Sequence, residues 1–469
     1  MDLSFLLAMK FEMVITVIIF ILLFIKIDGR MSNTAILNIT YLLLFLNLGF
    51  GFIYNNSAEI FNGMFRSTPL LALEKNILNL ATLIIALSSY EWLRNHKHLP
   101  EFFMLLLSSL LGMFFMMSSL NLLMFYLGLE LSTIPLAALC NFDLHKKISS
   151  EAAMKMILSS AFSSAILLFG VSLIYGTTGT FDFKEISALL IDSPLQKLAF
   201  IMIFTGFAFK LSVVPFHLWT ADVYEGSPIA VTAFLSVVSK AAMSFVFITV
   251  LYGTFGKLAT TWYYMLALSA VITMIIGNLF ALRQNNLKRF FAFSSIAQVG
   301  YLLIGISGVS VLGIASVVYF ILIYVFSNLA AFGVISVISS LTGKETIEDY
   351  KGLYATNPKL ALVMGLALFS LAGIPPTAGF FGKLFLLTAG ASAPNWPLII
   401  IASLNLIISL YYYLRIIRAI FIDKNHEPIL KLKFSINEDV AFLICVIGVL
   451  SVGFLKGVFD IIFNYSSTL

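Results

Sequence analysis

Apolar stretches of about twenty residues, each long enough to cross a bilayer, recur along the whole of this 469-residue chain. The polar segments between them never exceed roughly thirty residues, too few for a separate soluble domain. Hydrophobicity within each stretch is continuous rather than alternating, which predicts helices and not the strands of a β-barrel. Fourteen spans are expected, at residues 11–27, 36–54, 70–90, 102–119, 122–140, 151–175 and 195–219, then 228–251, 262–282, 287–306, 311–341, 358–390, 397–421 and 439–463. The expected fold class is all-α, a polytopic membrane protein. The first stretch ends without a small-residue cleavage site and reads as a retained helix rather than a removed signal peptide.

Two spans are interrupted. Pro215 breaks the seventh, and the run GIPPTAG at 373–379 breaks the twelfth, which is too long for one straight crossing. Proline has no N–H and frees the carbonyl four residues back. The carbonyls freed are those of Leu211 for Pro215, and of Leu371 and Ala372 for Pro375 and Pro376. Irregular backbone survives at membrane depth only where it is buried in protein or lines water. Breaks at corresponding places in two halves point to a transporter built from inverted repeats. The expectation is two inverted five-helix repeats, helices 4–8 and 9–13, with helices 7 and 12 discontinuous. Residues 1–100 form an N-terminal three-helix segment, 101–252 the first repeat, 258–422 the second, inverted one, and 436–469 a C-terminal transmembrane helix.

Composition agrees with this pattern: 60% of residues are hydrophobic and 11% charged, where a soluble domain carries about a quarter. Basic residues divide unevenly between alternate loops. Seventeen fall on one side; Lys10, Arg66, Lys75, Lys184, Lys197, Lys257 and Lys456 fall on the other. By the positive-inside rule the rich loops are cytoplasmic and both termini lie outside. The net charge of +5 comes from these loops and makes no case for nucleic acid. Two cysteines and five scattered histidines give no zinc, iron–sulfur or disulfide pattern. No glycine-rich phosphate loop opens a helix after a strand, so nucleotide binding is not expected in this chain.

The candidate chemistry lies in charges at mid-span. Glu130 sits in LMFYLGLELSTIPL, Lys210 five residues before Pro215, Lys240 in SVVSKAA, and Lys383 just after the double-proline break. A charge in hydrocarbon costs a few kcal/mol, about 2.5–3.5 on insertion scales, so each needs a partner, water or a way to become neutral. A lysine stripped of water can hold or release a proton near neutral pH. Glu130 and Lys210 then read as a switchable pair, Lys240 as a lateral step and Lys383 as the link to the far side. The plain alternative is that these groups snorkel or form static bridges between helices. His217, in PFHLW, is a proton acceptor feeding the relay or a packing histidine. Ser294, Ser295, Gln298 and Tyr301 form a polar stripe that holds a water path between Lys240 and Lys383, or bonds helix to helix. Glu151 and Lys155, spaced i, i+4, read as a surface ion pair. Asp222 and Glu225 read as ordering the polar loop TADVYEGSP.

These residues carry a resemblance. FKLSVVPFHLWTADVYEGSPIAVTAFLSVVSKAA resembles the signature of the subunit N family of proton-translocating NADH:quinone oxidoreductase, respiratory complex I. LMFYLGLELSTIPLAALC, KRFFAFSSIAQVGYLLIG and SLAGIPPTAGFFGKLFLL are similar to its fifth, tenth and broken twelfth helices, so the likeness runs over essentially the whole chain. Ala221 and Ile229–Ala230 depart from the family's usual proline and Thr-Pro, in the loop only. The resemblance implies that Glu130, Lys210, Lys240 and Lys383 carry protons. It implies no cofactor in this chain; the FMN and iron–sulfur clusters belong to partner subunits, where NADH and quinone bind. It implies other membrane-arm subunits and the lipid bilayer as partners, and a bacterial inner membrane as the location. Mrp-type cation/proton antiporter subunits share the Glu–Lys–Lys arrangement and provide the alternative function; a purely structural spacer is the third.

Overall fold

The computed structural model describes residues 3–53, 55, 57–391, 395–425 and 427–467. The expected end of the second span at Tyr54 lies outside them. Among the described residues, eleven helices are long and apolar enough to cross a membrane, or up to twelve if one bent pair is a single span. We label the main helices α1 (Lys10–Asp28), α2 (Asn33–Phe50), α3 (Pro69–Ser88), α4 (Leu99–Ser118), α5 (Leu122–Cys140), α6 (Lys147–Thr178), α7 (Pro194–Leu211), α8 (Leu218–Gly226) and α9 (Ile229–Gly253). Then follow α10 (Ala259–Ala281), α11 (Leu287–Ser307), α12 (Val311–Thr342), α13 (Pro358–Ala372), α14 (Ala378–Gly390), α15 (Trp396–Phe421), α16 (Ile436–Ser451) and α17 (Lys456–Ser466). A short hairpin, β1 (Ala58–Ile60) with β2 (Phe65–Ser67), precedes α3.

Local chemistry sets where these helices begin. Ser32, Thr68, Asn121, Ser193, Asn286 and Ser310 each accept a backbone N–H of the first turn, and Ser435 with Glu438 forms a capping box. Proline at the first position after Thr68 and Ser193 adds a preset φ where no N–H is needed.

Two expectations change. The polar stretch expected as a loop, TADVYEGSP, is mostly helical: α8 runs through it to Gly226. Its acids are satisfied by partners on other helices, so they do not need water. The last expected span, 439–463, is not one rod. α16 and α17 meet at 83°, and the elbow at Gly453 presses on α14, where a Cβ would come within 2.9 Å of the Ala378 Cα.

Several local features recur in the two halves of the chain. α5 and α11 both start after a capping asparagine, and their first N–H groups bond Phe181 O at 3.0 Å and Glu345 O at 2.9 Å. α6 and α12 each have 32 residues and each ends on a left-handed glycine, Gly179 or Gly343. A broken helix follows each. α7 stops at Ser212 (φ 65°) and α13 at Gly373 (φ 83°). In both, the next N–H reaches back to close the turn: Val213 to Ala208 O at 2.8 Å, and Ile374 to Phe369 O at 3.0 Å. This is the Schellman closure, which satisfies carbonyls that an interrupted helix would leave bare.

The N-terminal helices hold a charged pair that the loop assignment of Lys75 missed. Lys75 is inside α3, fully buried, with its Nζ 2.5 Å from Glu12 Oε1 of α1 and 2.6 Å from Ser118 Oγ of α4. The rings of Phe11, Phe65 and Phe114 surround the ammonium at 5.2–5.7 Å. Breaking such a pair costs more than removing it, because the survivor is a bare buried charge. Lys75→Met alone is therefore expected to destabilise the protein by about 3–5 kcal/mol. The double change Glu12→Gln with Lys75→Met is expected to cost clearly less. Thermal melting of the purified protein in detergent compares the two; equal losses would contradict the pairing.

Candidate functional site

Glu130 lies on α5, whose close seat against α4 depends on two glycines. A Cβ at Gly112 would come within 2.4 Å of Ser132 N, and one at Gly128 within 2.7 Å of Met116 N. Glu130 is half-buried, and its Oε1 is enclosed with no hydrogen-bond partner among the described residues. Thr133, one turn further on the same face, accepts from Lys210 Nζ of α7. Among the described residues Glu130 and Lys210 form no ion pair, so the pair expected from the sequence is bridged by one turn of α5 rather than closed.

Lys210 is buried two residues before the break. The break is held from several sides. Trp219 Nε1 donates to Phe209 O at 3.1 Å, Thr220 Oγ1 to Ser212 Oγ at 2.7 Å, and Val214 N to Thr273 Oγ1 of α10 at 3.1 Å. His217 sits inside the break, buried, with Nδ1 lacking a partner, and makes no hydrogen bond to any of the three lysines among the described residues.

Lys240 follows a turn of π-helix, Leu235–Ser239, within α9. Such turns are rare and recur at functional sites. Lys240 Nζ donates to Ser295 Oγ of α11 at 2.8 Å and lies 5.8 Å from the centre of the Tyr224 ring of α8. Ser236, in the π turn, meets Tyr324 OH at 3.3 Å and Asn328 Nδ2 at 3.1 Å, both on α12.

Lys383, on α14, reaches back across the second break. Its Nζ donates to Leu371 O at 2.6 Å and lies 3.4 Å from Ala372 O. These are the two carbonyls that the double proline frees. Gly373 makes the approach possible, since a Cβ there would meet Lys383 Cδ at 3.1 Å. The Tyr301 ring lies 5.3 Å from the ammonium.

The polar stripe of α11 spans the gap between Lys240 and Lys383. Ser295 holds the first lysine, and Gln298 Nε2 meets Leu371 O at 3.4 Å, the carbonyl that also accepts from Lys383. Gln298 Nε2 also donates to Tyr413 OH at 3.2 Å, and Ser294 Oγ lies 2.5 Å from that hydroxyl. Tyr301 OH turns away, to Ala402 O at 3.4 Å. A cavity of about 10 Å³ touches Lys240, Ser295, Gln298 and Tyr324, roughly the room of one water, and the enclosed Gln298 Oε1 has no partner within the chain.

Two sets of charges were not assembled from the sequence. One is Glu12 with Lys75. The other joins α6, α8 and α11. Lys155 pairs with Glu151 at 2.6 Å as expected, but also with Asp222 at 2.6 Å, and Arg289 holds Asp222 and Glu225 at 2.7 Å each. The i, i+3 spacing of Asp222 and Glu225 was the available signal that both lie on one helical face. Beside them a polar cavity of about 440 Å³ is lined by Glu225, Ser227, Lys288, Ser339 and Glu345. Among the described residues no three His, Cys, Asp or Glu side chains gather as metal ligands.

Residues 119–409 match the family described as NADH:quinone oxidoreductase/Mrp antiporter, transmembrane. NADH-quinone oxidoreductase subunit N of Phocaeicola vulgatus is 48% identical over 415 residues, 87% of this chain and 88% of that protein. The subunit of the same name from Moorella thermoacetica is 41% identical over 374 residues, 79% of each chain. Among solved structures, a chain of respiratory complex I from Thermus thermophilus with bound aureothin superposes with a TM-score of 0.83 at 28% identity, covering 96% of this chain and 98% of that one. A chain of the Mrp complex from Dietzia sp. gives 0.88 at 20% identity over 100% and 98%, a likeness of fold alone.

The Lys383 geometry makes a stability prediction independent of transport. Lys383→Met leaves the Leu371 and Ala372 carbonyls without their ammonium donor, and the chain is expected to lose about 1–3 kcal/mol. A lowered melting temperature in detergent checks this; an unchanged one would mean that another group takes over both carbonyls.

Proposed function

The chain belongs to the NADH:quinone oxidoreductase/Mrp antiporter transmembrane family, and from that premise we propose that it is a proton-translocating membrane-arm subunit of an NADH:quinone oxidoreductase. NADH and quinone react in partner subunits, which carry the FMN and iron–sulfur clusters. This chain supplies the buried path, in the order Glu130, Lys210, Lys240, Lys383. Fourteen crossings, two inverted five-helix repeats at 101–252 and 258–422, termini on the outer side and a bacterial inner membrane complete the reading. The repeated helix caps, long helices and breaks support the two repeats.

The observation that carries the proposal is what the three lysines touch. Each is buried, and among the described residues none has a carboxylate within ion-pair distance. Static bridges between helices would pair them. Thr133 and Ser295 each donate their own O–H to a backbone carbonyl one turn back, Leu129 O at 2.6 Å and Ala292 O at 2.8 Å, and so offer the lysine a lone pair to which the charged and the neutral amine can both donate. Lys210 and Lys240 therefore keep a partner in either protonation state. Lys383 faces carbonyls, which only accept. The π turn before Lys240 and the breaks beside Lys210 and Lys383 supply backbone that can be hydrated at membrane depth. Ser294, Ser295, Gln298 and Tyr301 line the route from Lys240 to Lys383, and His217 offers access at the first break.

Lys210→Ala, Lys240→Ala and Glu130→Gln, each in the assembled complex, are expected to lower NADH-driven proton pumping by roughly tenfold or more. Each removes a group used in transfer, an effect of about 10²–10⁴ where one group acts alone. Electron transfer from NADH to a soluble acceptor reports assembly and should be unaffected. Normal pumping in all three at normal assembly would return the chain to the role of a spacer. Purification without redox subunits, together with cation/proton exchange in vesicles, would favour the Mrp-type antiporter.

A further inference from the structure

Arg289, in the first turn of α11, ties together helices to which it does not belong. Its Nη1 lies 2.7 Å from Asp222 Oδ1 and 2.7 Å from Glu225 Oε2, both on α8. Asp222 Oδ2 is in turn 2.6 Å from Lys155 Nζ on α6, which also holds Glu151. Next to Arg289, Lys288 Nζ approaches Ser227 O at 3.4 Å and Glu345 Oε2 at 3.2 Å. The end of α8 away from the break is thus tethered by α11 and α6 together.

The ion pairs are half-exposed, with side-chain exposures near 30% for Arg289, Asp222 and Glu225. Pairs of that exposure contribute little to stability, typically about 0–1 kcal/mol. Their placement is more telling. α8 has nine residues, cut off from α7 by the break and from α9 by the turn at Ser227 and Pro228. A helix that short has no standing of its own in the absence of contacts. It nevertheless carries Tyr224, whose ring faces the Lys240 ammonium, and Trp219 and Thr220, which bond across the break beside Lys210. The other group holding Lys240, Ser295, rides on α11. Arg289 therefore links the two helices between which Lys240 is held.

We propose that Arg289 is a positioning residue for proton transfer: by clamping Asp222 and Glu225 it fixes α8 against α11, and so sets the places of Tyr224 and Ser295 around Lys240. The proposal rests on the proton-pumping reading above.

The test uses the whole assembled complex. Arg289→Gln is expected to slow proton pumping roughly 2- to 30-fold, the range for residues that act through a shared element, with assembly intact. Arg289→Lys keeps a cation at the clamp and is expected to recover most of the rate. A Glu225→Cys/Arg289→Cys pair is expected to pump slowly until a short bismaleimide bridges it, and then to recover without any charge at either position. Cys140 and Cys445 are buried and do not compete for the reagent. Normal pumping by Arg289→Gln would overturn the proposal. So would a bridged pair as slow as the unbridged one, since the charge and not the placement would then matter. Lys240→Ala, run alongside, separates the two claims. If it pumps normally along with Lys210→Ala and Glu130→Gln, the pumping reading falls. If it stops while Arg289→Gln does not, only the clamp falls. Should Arg289→Gln fail to assemble, Arg289→Lys and the bridged pair decide.

Discussion

The structure is organised by one electrostatic constraint: three ammonium groups deep among apolar helices, with no counter-charge within ion-pair distance among the described residues. A buried charge without a partner costs several kcal/mol, and a buried pair locks both charges in place. The chain takes a middle course and gives each lysine neutral oxygen atoms. Thr133 serves Lys210, Ser295 serves Lys240, and two backbone carbonyls serve Lys383. Neutral acceptors soften the burial cost without fixing the proton, which a relay needs and a structural bridge does not. The contrast lies in the same molecule. Lys75, with Glu12 at 2.5 Å and three rings around it, has the closed geometry of a fastening.

The helix breaks follow from the same constraint. A proline at membrane depth frees carbonyls that must find donors. At the second break the donor is Lys383 itself, so the break and the lysine solve each other's problem: a bare dipole meets a bare charge. At the first break the lysine precedes the proline and is turned toward α5, while Trp219 and Thr220 of α8 close the gap. The two breaks share their backbone closure and differ in which side the lysine comes from.

Much of this was legible in the sequence because apolar length and proline position are strong local signals. The many-span helical architecture, both breaks, the freed carbonyls of Leu371 and Ala372, and the stripe from Ser294 to Tyr301 all follow from them. What was not legible depends on contacts between distant segments. Lys75 lies nearly two turns into its helix, close enough to the end to look like a charge at a helix terminus; only packing against α1 and α4 makes it a core residue. Asp222 and Glu225 look like loop acids until Arg289, far along the chain, is brought to them. The elbow between α16 and α17 is marked only by the polar Lys456, Asp460 and Asn464 of the second arm, a signal passed over because its other residues are mostly apolar, and the contact of Gly453 with α14 lies at the turn.

The negative charge has a counterpart position in the other half of the chain. Glu130 stands at the same distance from its capping asparagine, Asn121, as Ser295 does from Asn286, and Thr133 corresponds in the same way to Gln298. The position that holds a carboxylate in α5 holds a hydroxyl in α11, and that hydroxyl is the partner of Lys240. The path thus has a carboxylate at one end and neutral groups along the rest. In the proposed relay a proton is favoured near Lys210 for as long as Glu130 is charged, and loses that preference when Glu130 is neutralised or drawn away. Glu130 is half-buried, on a helix with an outward face, and its Oε1 has no partner among the described residues. By linkage, whatever changes the charge of Glu130 changes the occupancy of Lys210, and the occupancy of Lys210 acts back on Glu130 to the same degree. In the proposed relay the drive enters at the Glu130 end, and the neutral Ser295 at the matching position of α11 leaves the proton free to move on toward Lys383.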